Sequence, residues 1–336
     1  MQEVLNVRSK QLRKLNQLRY VGQGAADKAH VEYQRKQADS QNPERVQGWF
    51  KSMQSVIEEI DQMMKVVPER SRFRFLDLGC CPGGFTSYIL DKNPDARGAG
   101  ISLPVESGGH ACMLDEEHLQ RFDLYWGDLT RYQLGAVAIA DPTLADLPPG
   151  VTPDSFDLVL IDGHPLRTAP GSNAHLPPEL HLLGDRLLIS QLIIGLTAAT
   201  LGGTIILKAS KPERRITSQL IYLFDQLCAW VHTWKPTCVH ATQATFYVVG
   251  KGFGVGVPLG VRDYVLQGLM DLWVLLSYGG KNGEGRRFLP NDLDFIVGTE
   301  TLEGSYAARL QGLSEHIWNV HRQSLEGWRR AQASGF

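Results

Sequence analysis

The chain has 336 residues, is 43% hydrophobic and 21% charged, and carries a formal net charge of −2. These values are ordinary for a globular protein of one large domain with additions or two small ones, and they exclude a globally basic nucleic-acid binder while leaving a local basic face open. Five cysteines (Cys80, Cys81, Cys112, Cys228 and Cys238) occur without CxxC or paired CxxH spacing, so they read as reduced thiols of an intracellular protein.

The first 20 residues, MQEVLNVRSKQLRKLNQLRY, lack the apolar stretch of a secretory signal. They are basic and helix-prone, so a mitochondrial presequence stays open beside a cytoplasmic or nuclear location. Arg8, Lys10, Arg13, Lys14 and Arg19 lie close together, and few large apolar residues occur between 22 and 48. Residues 1–45 therefore read as a basic, mobile arm. It is either a solvated helix with a loop or a positive arm that gathers a polyanion.

From residue 46, VQGWFKSMQSVIEEIDQMMKVV places Trp49, Phe50, Met53, Val56, Ile57 and Ile60 at helical steps. FRFLDL then predicts a strand, and a glycine-rich turn leads into the helix FTSYILDK. RGAGISL (97–103) and FDLYWGD (122–128) predict two further strands, with a loop over 135–155 and a strong strand at SFDLVLIDG (155–163). RLLISQLIIGLTAATL reads as a buried helix and GGTIILKAS as the next strand. The apolar run 187–208 is split by Gly202 and Gly203, so it predicts helix, turn and strand instead of a membrane span. SQLIYLFDQLCAWV reads as another helix and ATFYVVGKGF as the last strand. Alternating strands and helices over 46–256 predict an α/β fold, a doubly wound, mostly parallel sheet of Rossmann-like type. Residues 257–336 read as a helical extension containing Trp273, Trp318 and Trp328, which either packs on the main domain or offers a partner surface.

In such a sheet, ligands bind at the carboxyl ends of the strands, and the first strand–turn–helix is the usual place. Here it reads FLDLGCCPGGF, residues 75–85, with Gly79, Gly83 and Gly84. Neither GxxxxGK[ST] nor GxGxxG spacing is present, which argues against a Walker-type loop and a dinucleotide-binding turn.

DLGCCPGGF resembles the first motif of the FtsJ-like (RrmJ-like) ribose 2′-O-methyltransferases, and the resemblance runs over about residues 49–253. It implies S-adenosylmethionine as cofactor, its methionine end against Gly79, Cys80, Gly83 and Phe85, with Asp77 and Gly84 also among the cofactor-binding residues. The cysteines then fill variable small positions. It brings Ser102 to the cofactor ribose and Asp128 to the adenine, the alternative for Asp128 being a helix N-cap. Asp162 is implied as a further cofactor-binding residue.

The resemblance further implies a Lys-Asp-Lys-Glu tetrad. Asp162 in LVLIDGHP and Lys208 in GGTIILKAS match the aspartate and central lysine. Lys51 in WFKSMQSVIEEI is the candidate first lysine, with Lys10 and Lys14 as weaker choices. HATQATFYVVGKGF puts Thr245 where the glutamate is expected, with Gln243 nearby. A ribose hydroxyl is a poor nucleophile, so a lysine whose pKa is set by its neighbours would take or steer its proton. RNA is the expected partner, with no membrane association. A non-RNA substrate, or a member that binds the cofactor with reduced or no activity, remains open because no glutamate is present.

Overall fold

The computed structural model describes residues 1–21, 39–167 and 182–333. Among them is a seven-stranded sheet in the order β3-β2-β1-β4-β5-β7-β6. The strands are β1 Phe73–Leu78, β2 Ala96–Ser102, β3 Phe122–Trp126, β4 Phe156–Ile161, β5 Ala199–Ser210, β6 Cys228–Trp234 and β7 Thr245–Phe253. β1 to β5 are parallel, and β7 runs antiparallel to β5 and β6. The order reverses between β1 and β4, which opens a crevice at the strands' carboxyl ends. The helices are α1 Gln2–Arg8, α2 Lys10–Val21, α3 Pro43–Met64, α4 Gly84–Lys92, α5 Glu116–Leu119, α6 Leu182–Ala198, α7 Arg215–Leu227, α8 Val261–Tyr278, α9 Thr299–Glu303 and α10 Ala307–Ala333.

The two-residue period of the strands sorts their side chains between two apolar layers. Phe75, Leu158, Leu160, Ile206, Tyr247 and Val249 share one layer with Ile57 and Ile60 of α3 and Ile89 of α4. Leu76, Leu78, Val159, Ile161, Ile205, Leu207 and Val248 share the other with α6, α7, α8 and α10. Trp273 and Trp318 are fully buried in this second layer, so the C-terminal helices continue the sheet's own core.

Two sequence expectations change. SQLIYLFDQLCAWV reads as one helix, but α7 ends at Leu227 and the following residues form the edge strand β6. Cys228, Val231 and Thr233 turn inward, and the segment's backbone pairs with β7, so tertiary pairing overrides the helical run. Likewise Ala199–Leu201 leaves the expected helix and joins β5, with Ala199 opposite Phe156.

The basic N-terminus is also more ordered than a solvated arm over residues 1–21. Leu5, Leu12 and Leu15 are fully buried where α1 and α2 meet α10, while Arg8, Lys10, Arg13 and Lys14 face solvent. The apolar stripe drives docking, and the charges stay in water. Residues 22–38 of the expected arm lie outside the described residues.

α3 starts three residues before the expected residue 46, with Asn42 accepting from the backbone N–H groups of Glu44 and Arg45 and Pro43 in the first turn. Two glycines of the first turn are needed for close approach. A Cβ at Gly84 would lie 2.3 Å from the Phe50 carbonyl oxygen of α3. Gly79 has φ +85°, and a Cβ there would lie 2.5 Å from the Gly163 Cα. Gly79→Ala is therefore expected to cost about 3 kcal/mol or more in chemical denaturation, because left-handed strain adds to a backbone clash. Gly48→Ala, in α3 with nothing within 4 Å of the new methyl group, is expected to be neutral or stabilising.

Candidate active site

The carboxyl ends of the parallel strands open into a cavity of about 470 Å³. Its chemical end is set by strand register. Ile161 of β4 pairs with Leu207 of β5, so Asp162 emerges beside Lys208. Lys208 stands directly opposite Tyr247 of β7. The Lys208 ammonium donates to the Asp162 carbonyl oxygen at 3.0 Å and to its Oδ2 at 3.2 Å. The Tyr247 hydroxyl donates to Asp162 Oδ1 at 3.0 Å. Both carboxylate oxygens are thereby engaged. Burial raises the Asp162 pKa, while the Lys208 charge and hydrogen bond and the Tyr247 hydrogen bond oppose that rise. Tyr247 is fully buried and its phenol is pushed well up by burial and by Asp162, so it acts as a neutral donor.

The cavity is also lined by the first turn and by the residues at the ends of β2 and β3. Gly79, Cys81, Pro82, Ser102, Leu103, Asp128 and Leu129 line it. The Ser102 hydroxyl accepts from the Cys81 backbone N–H at 3.3 Å, which ties the turn to β2. Asp128 caps the short turn after β3: its Oδ1 accepts from the Thr130 N–H and hydroxyl, each at 2.8 Å. The cap and the cavity role coexist, because both bonds fall on Oδ1 and Asp128 still lines the cavity.

Five residues expected to hold the cofactor do not line this cavity. Asp77 is 1% exposed, and its Oδ2 accepts from the Thr86 hydroxyl of α4. Cys80 packs into the core, its Sγ 2.8 Å from where a Cβ on Gly100 would stand. Phe85 meets Tyr247 edge-on, with centroids 6.1 Å apart. Gly83 caps α4 at φ +110°, and Gly84 abuts α3. These residues shape the turn, and the wall itself is Gly79, Cys81 and Pro82. Cys81 interacts with the Cys112 thiol, which draws its pKa down, but the hydrogen bond with Cys80 and burial raise it more. Cys81 therefore stays a thiol. The described residues contain no group of three metal-ligating side chains.

Lys51 is not brought to the pair. It is exposed on α3, whereas Trp49 and Met53 of the same helix line the cavity. Two residues of helix turn the side chain about 200° away from that wall. Lys10 and Lys14 are exposed on α2 and do not line it either.

Thr245 and Gln243 line the cavity beside Lys208, so the position expected to hold a carboxylate holds a hydroxyl. The segment carrying them is clamped by Lys235, which has no solvent exposure. Its ammonium donates to the carbonyl oxygens of His240 at 2.5 Å, Gln243 at 2.8 Å and Thr245 at 2.7 Å. Burial, with Arg19 nearby, lowers the Lys235 pKa to about 7.

Besides His110, two further histidines that sequence reasoning missed line the cavity. His240 stacks on Trp49, with ring centroids 6.2 Å apart, and its Nδ1 lies 2.9 Å from Gln243 Oε1. Burial and the Lys208 charge lower its pKa to about 3. His164 follows Asp162 by two residues and is held well below the usual histidine value by burial and Lys208. Both are neutral near pH 7, leaving the Lys208 ammonium paired with Asp162 alone among the described residues.

Among solved structures, the chain is similar to a protein described as a ribosomal RNA methyltransferase from Plasmodium falciparum, at 18% identity and a TM-score of 0.42, covering 60% of this chain and 96% of that one. It is also similar to a TehB-like S-adenosylmethionine-dependent methyltransferase from Corynebacterium glutamicum, at 12% identity and a TM-score of 0.30, covering 60% and 87%. No curated protein sequence matches the chain. The model of the FtsJ-like methyltransferases matches residues 47–253, which run from the first turns of α3 to the last residue of β7 and so contain the whole sheet, the first turn and the Asp162–Lys208 pair. This chain belongs to the FtsJ-like methyltransferase family.

Proposed function

We propose that this protein is an S-adenosylmethionine-dependent methyltransferase that modifies a ribose 2′-hydroxyl of RNA. The observation that carries the reading is the Lys208 ammonium held on Asp162 in the wall of the 470 Å³ cavity. The remaining lining suits the cofactor. Ser102 offers a hydroxyl, Asp128 offers a carboxylate oxygen for an exocyclic amine, and Leu103 and Leu129 offer apolar surface for a base. When bound, the cofactor supplies an electrophilic methyl group.

Lys208 donates two of its three N–H bonds to Asp162, leaving one for the substrate oxygen. That bond turns a lone pair of the hydroxyl toward the methyl group, and the hydroxyl proton leaves to water, since an ammonium has no lone pair to accept it. Asp162 fixes the ammonium, and Tyr247 fixes Asp162, so the group is positioned before the substrate arrives. The neutral His164 and His240 surround the pair without competing for Asp162.

Thr245 supports a second reading. A hydroxyl in place of a carboxylate leaves the lysine with one anionic partner, which favours slow transfer or cofactor binding without turnover. Calorimetry with S-adenosylmethionine, followed by label transfer to a panel of RNAs and their 2′-deoxy counterparts, separates the two. Transfer to RNA alone supports ribose methylation. Binding with no transfer to any RNA supports the second reading, and equal labelling of the deoxy strands overturns the ribose assignment.

A further inference from the structure

A second hollow of the molecule, of about 330 Å³, lies where α2 meets the turn between β5 and α7. Arg19 and Tyr20 come from α2, and Lys211, Glu213 and Arg214 from the turn. Its single carboxylate is already used. Glu213 is 2% exposed, and its oxygens accept from Arg19 Nη1 at 2.6 Å and from the Trp318 indole N–H at 3.0 Å. Lys211 and Arg214 have no carboxylate partner among the described residues, and Lys211 is only partly exposed.

The surroundings register this excess of positive charge. Lys211 is held below its ordinary value by burial, Arg214 and Arg19, with the Glu213 carboxylate opposing. Buried Lys235 is lowered to about 7 by burial and Arg19. His321 is lowered to about 3 by burial, Arg19 and Lys235. After burial, the strongest influence on each of these three bases is a neighbouring cation.

The hollow adjoins the active site. Lys211 follows Lys208 by three residues at the end of β5, a span of about 10 Å. Its backbone N–H donates to the Ala244 carbonyl oxygen at 3.3 Å, next to Thr245 on the cavity wall. Tyr20 stands beside the cations at 77% exposure, an open aromatic face of the kind on which unpaired bases stack. α1 and α2 precede the family match at residues 47–253, so half of this hollow comes from outside it.

We infer that Lys211 and Arg214, with Arg19 and Tyr20 of α2, form a subsite for a backbone phosphate of single-stranded RNA flanking the ribose presented to Lys208. The inference rests on the RNA reading above. Fluorescence anisotropy of the full chain with a labelled single-stranded RNA oligonucleotide, over a salt series, tests it.

Lys211→Ala with Arg214→Ala is expected to weaken binding tenfold or more and to flatten the slope of log K against log salt by about 0.7 for each phosphate no longer neutralised. Affinity for S-adenosylhomocysteine should stay within twofold, which reports an intact fold. Lys211→Arg with Arg214→Lys should keep most of the binding, and Lys14→Ala, an exposed cation elsewhere on α2, should change nothing. RNA binding and salt slope unchanged in the double alanine variant overturn the subsite and leave the methyltransferase reading standing. An equal loss in Lys14→Ala also overturns the subsite, because it makes the effect one of general charge. A wild-type chain that binds no RNA overturns both.

Discussion

Lys208→Met is expected to lower methyl transfer to RNA by about 10²-fold or more, the scale of misplacing a reacting group. The expected signature is a loss in kcat with little change in donor affinity, because Lys208 contacts Asp162 and not the Ser102–Asp128 wall. Single-turnover kinetics with calorimetry of S-adenosylhomocysteine checks both halves. Lys208→Arg should rescue little, since a guanidinium is broad, planar and permanently charged. Tyr247→Phe should do less damage than either, because Asp162 keeps its bond to Lys208 and loses only one donor. A Lys208→Met enzyme of undiminished rate would remove the lysine from the mechanism.

Asp77→Asn is expected to stabilise the protein at pH 8 by a few kcal/mol and to have almost no effect near pH 4. Asp77 is fully enclosed, and burial raises its pKa from 3.8 to about 7, with Thr86 opposing and Asp162 adding to the rise. A carboxyl raised by about 3 units corresponds to about 4 kcal/mol. Between pH 4 and 7 the folded chain holds a proton that the unfolded chain has released, so stability from this group falls as pH rises through that window. Above pH 7 the full cost of the buried charge is present. Asparagine removes the charge and keeps an oxygen for the Thr86 hydroxyl. Denaturation of both proteins at several pH values measures the gap, and a gap that does not grow with pH would contradict the buried charge. Donor affinity should be nearly unchanged, since Asp77 does not line the cavity. A large loss of affinity would return Asp77 to the cofactor role that the family resemblance implies.

Much of the site is readable because strand ends are readable. DLGCCPGG, LVLIDG and TIILK each join an apolar strand to an unusual residue at its carboxyl end, and parallel register then brings Asp162 and Lys208 together. A motif gives order along the chain, however, and not the direction of each side chain. Within the first turn, the sequence does not distinguish Cys80, which packs against Gly100, from Cys81, which faces the cavity. Lys51 is misplaced for a related reason: the helix forms where the periodicity predicts it, but its phase turns Trp49 and Met53 to the cavity. β6 is hidden because CAWV continues an apolar helical run, and only its pairing with β7 makes it a strand. Tyr247 and His240 leave no signal of their own. Tyr247 acts through its position opposite Lys208, and His240 through a segment held by the buried Lys235.

The central claim is that Lys208 and Asp162 direct a methyl group onto a ribose oxygen. Mass spectrometry of nucleosides, from RNA incubated with the protein and deuterium-labelled methyl donor, tests it most directly. Labelled 2′-O-methylnucleoside is expected with the wild-type chain and is expected to be lost with Lys208→Met. Label found on a base, or ribose label that persists in Lys208→Met, would contradict it.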